Sequence, residues 1–199
     1  MTNLGPKEQL IERLSWLIRL RWIAIVGVVS TVLFATYILK FPLPTFPIYA
    51  IAILLGAYNI VFFLLLNPFS RLLQDSDKTK KKEESLTTIN KIANAQISLD
   101  LMSLALLIHF SGGIENPFIF YFIFHMIIAG ILLSRRASFL QATFAVLLFC
   151  AMAVSEYFGI IAHHSLGKFI GLDRYNNFIY VSGVSFVFIS TIYIAVYMA

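Results

Sequence analysis

Apolar residues in this chain come in blocks of about twenty, the length a helix needs to cross the hydrocarbon core of a bilayer. Six such blocks are legible, at about residues 22–39, 46–66, 92–110, 117–133, 139–161 and 178–199. The second lies in a stretch free of charge from Phe41 to Ser70, and the third is interrupted by Asp100. Ahead of the first block, Leu10, Ile11, Leu14, Leu17 and Ile18 recur at helical spacing, with Glu8, Glu12, Arg13 and Arg19 off that face. The pattern predicts an amphipathic helix over residues 1–21, lying on the inner leaflet or packed on a partner helix. Arg19, Arg21 and Trp22 are expected at headgroup level. Residues 67–88 form the long polar connector, read as a solvated loop. The Phe41–Pro47 segment, with three prolines, reads as a stiff turn.

Composition settles the class. Hydrophobic residues make up 59% of 199 and charged residues 13%, against roughly 45–50% and 25% in soluble domains. Mean hydropathy is +0.84. One core of this size does not hide that much apolar surface, so the fold class is an all-α integral membrane protein of six spans. One cysteine, Cys150, excludes a disulfide scaffold and reads as a small packing residue. The first twenty residues carry Lys7, Glu8, Glu12, Arg13 and Arg19, which is not the pattern of a signal peptide.

Net charge is +5, but the basic residues lie at block edges, where topology explains them without nucleic acid. With a cytoplasmic amino terminus, the inside segments hold Lys7, Arg13, Arg19, Arg21, Arg71, Lys78, Lys80, Lys81, Lys82, Lys91, Arg135 and Arg136. The outside segments hold only Lys40, Lys168 and Arg174. This asymmetry puts both termini in the cytoplasm. The lysine run near residue 80 reads as solvated charge, with anionic lipid headgroups as the functional alternative.

The connector between the third and fourth blocks is Ser111-Gly-Gly-Ile-Glu-Asn-Pro-Phe118. Gly112 and Gly113 suit the end of a helix, Asn116 suits a cap and Pro117 suits a first turn. By itself this is a well-capped hairpin, and Asn67-Pro68-Phe69 repeats the tripeptide elsewhere. With its glycine pair, however, Gly112-Gly113-Ile114-Glu115-Asn116-Pro117-Phe118 resembles the GGxxNPF heptapeptide of RegB/PrrB-type redox-sensing histidine kinases. In that family the heptapeptide lies in a short external loop between spans three and four of six. Arg19-Leu20-Arg21-Trp22 is similar to the family's entry into the membrane.

The resemblance implies a sensory input module in the bacterial cytoplasmic membrane that binds ubiquinone or menaquinone near residues 112–118 and signals through the sixth span. It assigns the quinone to Gly112, Gly113, Asn116, Pro117 and Phe118, leaves Ile114 and Glu115 at variable positions, and implies a homodimer. Phe110, Phe118, Phe120, Tyr121 and Phe122 are candidate walls. The Asn116 amide and free N–H groups at the start of span four are candidate donors. The family's phospho-accepting histidine, ATP-binding domain and linker cysteine have no match within these 199 residues. The chain therefore resembles the membrane module alone, truncated or free-standing, and a response regulator is a partner only through a kinase part.

Ionisable groups within spans are functional candidates by default. His125 lies about 10 Å below Phe118 at 1.5 Å per residue and joins the candidate quinone site. Asp100 and Glu156 are candidate polar or proton sites. The bland readings are Asp100 as neutral helix glue with Asn59 and the nearby Gln96, His125 bonded to a neighbouring helix, and Glu156 wetted at the surface. His109 and His125 flank the heptapeptide, yet differ in depth, so haem is not expected. His163-His164 reads as a hydrated loop, and no metal site is expected. The competing function is a small proton-coupled carrier lined by Asp100, His125 and Glu156, without the inverted repeats or broken helices such carriers use. A membrane enzyme would need a nucleophile, metal cluster or acid–base pair at one depth, and none is legible.

Overall fold

The computed structural model describes residues 6–72, 79–164 and 174–199, with side chains at 6–11, 67–72 and 79–86 left aside. The described residues form six α-helices: α1 (Pro6–Leu33), α2 (Thr45–Leu72), α3 (Thr79–Phe110), α4 (Tyr121–Leu132), α5 (Arg135–Tyr157) and α6 (Phe178–Met198). Five are long and apolar enough to span a bilayer; Pro117–Leu132 is a shorter apolar segment.

Helix boundaries follow local chemistry. A π-helical turn, Phe34–Ile38, prolongs α1 until Lys40 (φ 55°) and the following prolines stop it. Pro47 sits in the first turn of α2, where its missing N–H costs no helical bond. Ser134 caps α5, and the Asn177 side chain accepts from Ile179 and Tyr180 N–H to cap α6.

Two expectations change. The amphipathic segment is not a separate surface helix: Pro6–Leu33 is continuous, and Leu14, Leu17 and Ile18 are buried in the shared core. This is the partner-helix alternative, realised inside the first long helix; Leu10 and Ile11 lie outside the described side chains. The polar connector is also largely helical, because α2 runs to Leu72 and α3 begins at Thr79. The side chains of Lys80, Lys81 and Lys82, and those of Asn67-Pro68-Phe69, are outside the described ones.

α1 packs on α2 and α2 on α3; α3 then meets α4 and α5, which both pack on α6. Small residues allow this closeness: Ala129, Ala142 and Ala145 are fully buried. Phe149 stacks on Phe188 at 4.0 Å, and Phe122 meets Phe188 edge-on at 5.3 Å, locking α4, α5 and α6 together. Large apolar side chains such as Ile23, Ile53, Phe63, Leu147, Phe186 and Ile194 point outward, the arrangement expected when lipid is the solvent. Cys150 is half-buried against the core.

Candidate functional site

Two buried polar centres and one groove stand out. The first centre joins α1, α2 and α3. The Arg21 guanidinium donates through Nε and Nη2 to both oxygens of Asp100 (2.8 and 2.7 Å) and through Nη1 to Asn59 Oδ1 (2.6 Å). Tyr58 donates its hydroxyl to Asp100 (2.6 Å), and Asn59 donates its amide to the Ile18 carbonyl. The guanidinium also lies over the Tyr58 ring at 5.1 Å. Arg21 is therefore not a headgroup anchor, and Asp100 is not neutral glue. They form a bidentate ion pair with side-chain exposures of 3% and 6%, because a planar fork satisfies a carboxylate that hydrocarbon cannot. Gln96 does not join this seam: it is fully buried with both amide atoms unpartnered.

The second centre lies where the heptapeptide meets α3, α5 and the segment before α6. Glu156 is 1% exposed, not wetted. Its two oxygens meet His109 Nδ1 and His163 Nδ1, each at 2.7 Å. His163, expected in a hydrated loop, has a side chain only 3% exposed, stacked on Tyr175 at 3.9 Å. Burial alone would lower the His163 pKa, but the hydrogen bond and charge of Glu156, with the charge of Glu115, outweigh it and raise it. His164 is held below its ordinary value, first by burial and then by the charges of His109 and His163.

Glu115 occupies a variable position of the motif but is central here. It is buried, and its Oε1 accepts the backbone N–H groups of Arg174 (2.7 Å) and Tyr175 (3.2 Å). The heptapeptide is thereby tied to the entry of α6. These donors are remote in sequence, so no local pattern announces this role.

The glycines have separate reasons. Gly112 closes α3 with φ 123°, and Gly113 has φ 53°. A Cβ on Gly113 would lie 2.1 Å from Glu156 Oε2, so its hydrogen side chain makes room for the buried carboxylate. Asn116 stitches the loop. Its Oδ1 accepts Phe118 N–H (2.8 Å), and its amide donates to the carbonyl and the hydroxyl of Ser111. Both amide hydrogens are thus committed, and Asn116 is not the free donor its position suggested.

Between the heptapeptide and α6 runs a groove of about 590 Å³. Ile114, Glu115, Asn116, Pro117, Phe120 and Ile123 line one wall, and Tyr180, Gly183, Val184, Val187 and Phe188 line the other. Of the expected walls only Phe120 takes part. Phe122 is in the core against Phe188, Phe110 is against His109 and His164, and Phe118 and Tyr121 form an outward aromatic ladder. His125 is not in the groove lining and bonds its own helix at the Tyr121 carbonyl (2.9 Å). Asp100, His125 and Glu156 thus sit in three separate settings. Among the described residues no group of three or more His, Cys, Asp or Glu side chains is arranged to hold a metal ion.

Residues 5–188 match the family model of the PilS-like transmembrane domain, a six-span (6TM) domain. No curated protein matches the chain, and no solved structure matches it.

Proposed function

Because the chain belongs to the PilS-like transmembrane domain family, we propose that this multi-pass membrane protein is the sensory input module of a two-component histidine kinase and that its signal is a quinone. Its heptapeptide end faces outward from the bacterial cytoplasmic membrane, its termini face the cytoplasm, and it works as a homodimer. The observation that carries the reading is the groove, one wall of which is the heptapeptide and the other α6. An apolar slot with few polar groups suits a lipid-borne ring and tail. A ligand wedged there bears directly on the helix that carries the output to the catalytic part. It biases the packing only by its preference for one arrangement; a tenfold preference is about 1.4 kcal/mol.

Gly183 offers the test. A Cβ added there meets nothing within 4 Å, and glycine is a poor helix former, so Gly183→Leu projects into the groove from a position whose first carbon has room on α6. Wild-type protein purified in mild detergent should yield near-stoichiometric quinone on solvent extraction. Gly183→Leu should lose most of it, with helix content and melting unchanged. Equal quinone in both proteins, or none in either, contradicts the reading.

A further inference from the structure

Where the second polar centre touches the groove, its hydrogen bonding is incomplete. His163 Nε2 stands 3.6 Å from Glu115 Oε2, beyond hydrogen-bond reach, and neither atom has a hydrogen-bond partner although both are buried. His163 Nδ1 already serves Glu156. A neutral imidazole carries a single N–H, so with Nδ1 protonated the Nε2 lone pair confronts a carboxylate oxygen. One added proton, on Nε2 or on Oε2, turns this opposition into a hydrogen bond.

We propose that the His163–Glu115 junction is a one-proton latch that fastens the heptapeptide to the segment after α5, where His163 stacks on Tyr175 beside the entry of α6, and that it couples groove occupancy to pH at that end of the bundle. The latch rests on the geometry of the four side chains; its coupling to a ligand rests on the quinone reading above. The surroundings concentrate the effect on this pair. From α5, Glu156 faces His163; from α3, His109 reaches it through Glu156. His164 is its chain neighbour, and Tyr175 offers a ring face. Arg174 gives Glu115 its backbone N–H while its guanidinium lies over Tyr180, a groove residue. Glu115 thus touches the latch, the groove and the turn before α6. When the proton leaves, the repulsion between Nε2 and Oε2 returns, and Glu115, which lines the groove and holds the turn before α6, loses one tie.

The sign follows from the raised pKa of His163. Its contribution is fully present below the ordinary histidine value near 6.5 and is lost as pH rises through the higher folded value. The latch is closed below the folded His163 value and open above it.

The test uses the full chain in lipid nanodiscs with ring-labelled histidine, the His163 signal being assigned with His163→Gln. His163 should titrate above 6.5. In Glu115→Gln its midpoint should fall, because a neutral amide replaces the carboxylate. Should Glu115→Gln fail to fold, wild type and His163→Gln are compared by melting temperature against pH. The loss of stability above the His163 midpoint should vanish in His163→Gln. A His163 midpoint at or below 6.5, one that Glu115→Gln leaves unmoved, or a melting profile shared by wild type and His163→Gln overturns the latch.

Binding of a short-chain ubiquinone, measured on the same samples, should weaken about tenfold per pH unit above the midpoint in wild type and stay flat in Glu115→Gln. Affinity independent of pH overturns the coupling. Predicted titration with no ubiquinone bound at any pH leaves the latch standing and refutes the quinone reading.

Discussion

Gly113→Ala is expected to be among the most damaging single-methyl changes in this protein, costing about 4 kcal/mol or more by two additive routes. Holding alanine at φ 53° costs roughly 1–2 kcal/mol. The larger share comes from the methyl group, which would stand 2.1 Å from Glu156 Oε2 and must push that carboxylate off His109 and His163. Displacing a buried carboxylate from its two hydrogen-bond partners costs about 3 kcal/mol or more. A double-mutant cycle with Glu156→Ala separates the routes. In the Glu156→Ala background the clash is gone, so Gly113→Ala should cost only the backbone share. Equal costs in both backgrounds, read from unfolding in detergent, would show that the motif's second glycine serves backbone conformation alone.

The second large effect belongs to the first polar centre. Arg21→Ala leaves the Asp100 carboxylate in a 6%-exposed site with only the Tyr58 hydroxyl donating to it, and should destabilise by about 3–5 kcal/mol. Asp100→Ala, which strands the guanidinium, should cost a similar amount. The double replacement Arg21→Met with Asp100→Leu removes both charges and should recover most of that loss. Arg21→Lys should not rescue, since one ammonium cannot reproduce a fork that serves both Asp100 oxygens and Asn59. Additive single effects would mean that the pair is not what joins α1, α2 and α3.

These two sites also show what the primary structure made legible. Span number was readable because bilayer thickness fixes apolar length; extent was less so, since the blocks expected at 92–110 and 139–161 stand about five and four residues off Thr87–Phe110 and Arg135–Tyr157. The expected blocks at 46–66, 117–133 and 178–199 fall within a residue or two of Thr45–Leu66, Pro117–Leu132 and Phe178–Met198. The hairpin was readable because Asn116 and Pro117 act on their immediate neighbours. Pairings across the bundle were not. An arginine beside a tryptophan at the start of an apolar block has the appearance of an interfacial anchor, and its partner Asp100 lies 79 positions away. Glu115 filled a position without motif preference, and its hydrogen-bond donors lie 59 and 60 positions on. His163 looked solvated because loop histidines near a membrane edge usually are; two carboxylates from different elements draw it inside. The first span began later in the hydropathy pattern than in the fold, where it runs Glu12–Ile38, because the buried Arg21 interrupts an otherwise apolar stripe.

The central claim is that a quinone occupies the groove between the heptapeptide and α6. A photoreactive quinone analogue tests it most directly: illuminate the protein in native-lipid nanodiscs, digest it, and map the adducts by mass spectrometry. Adducts are expected to concentrate at residues 114–123 and 179–191, to be competed by unlabelled ubiquinone and to be suppressed in Gly183→Leu. Adducts scattered over outward residues such as Ile53, Phe63 and Leu147, or unaffected by Gly183→Leu, would contradict it.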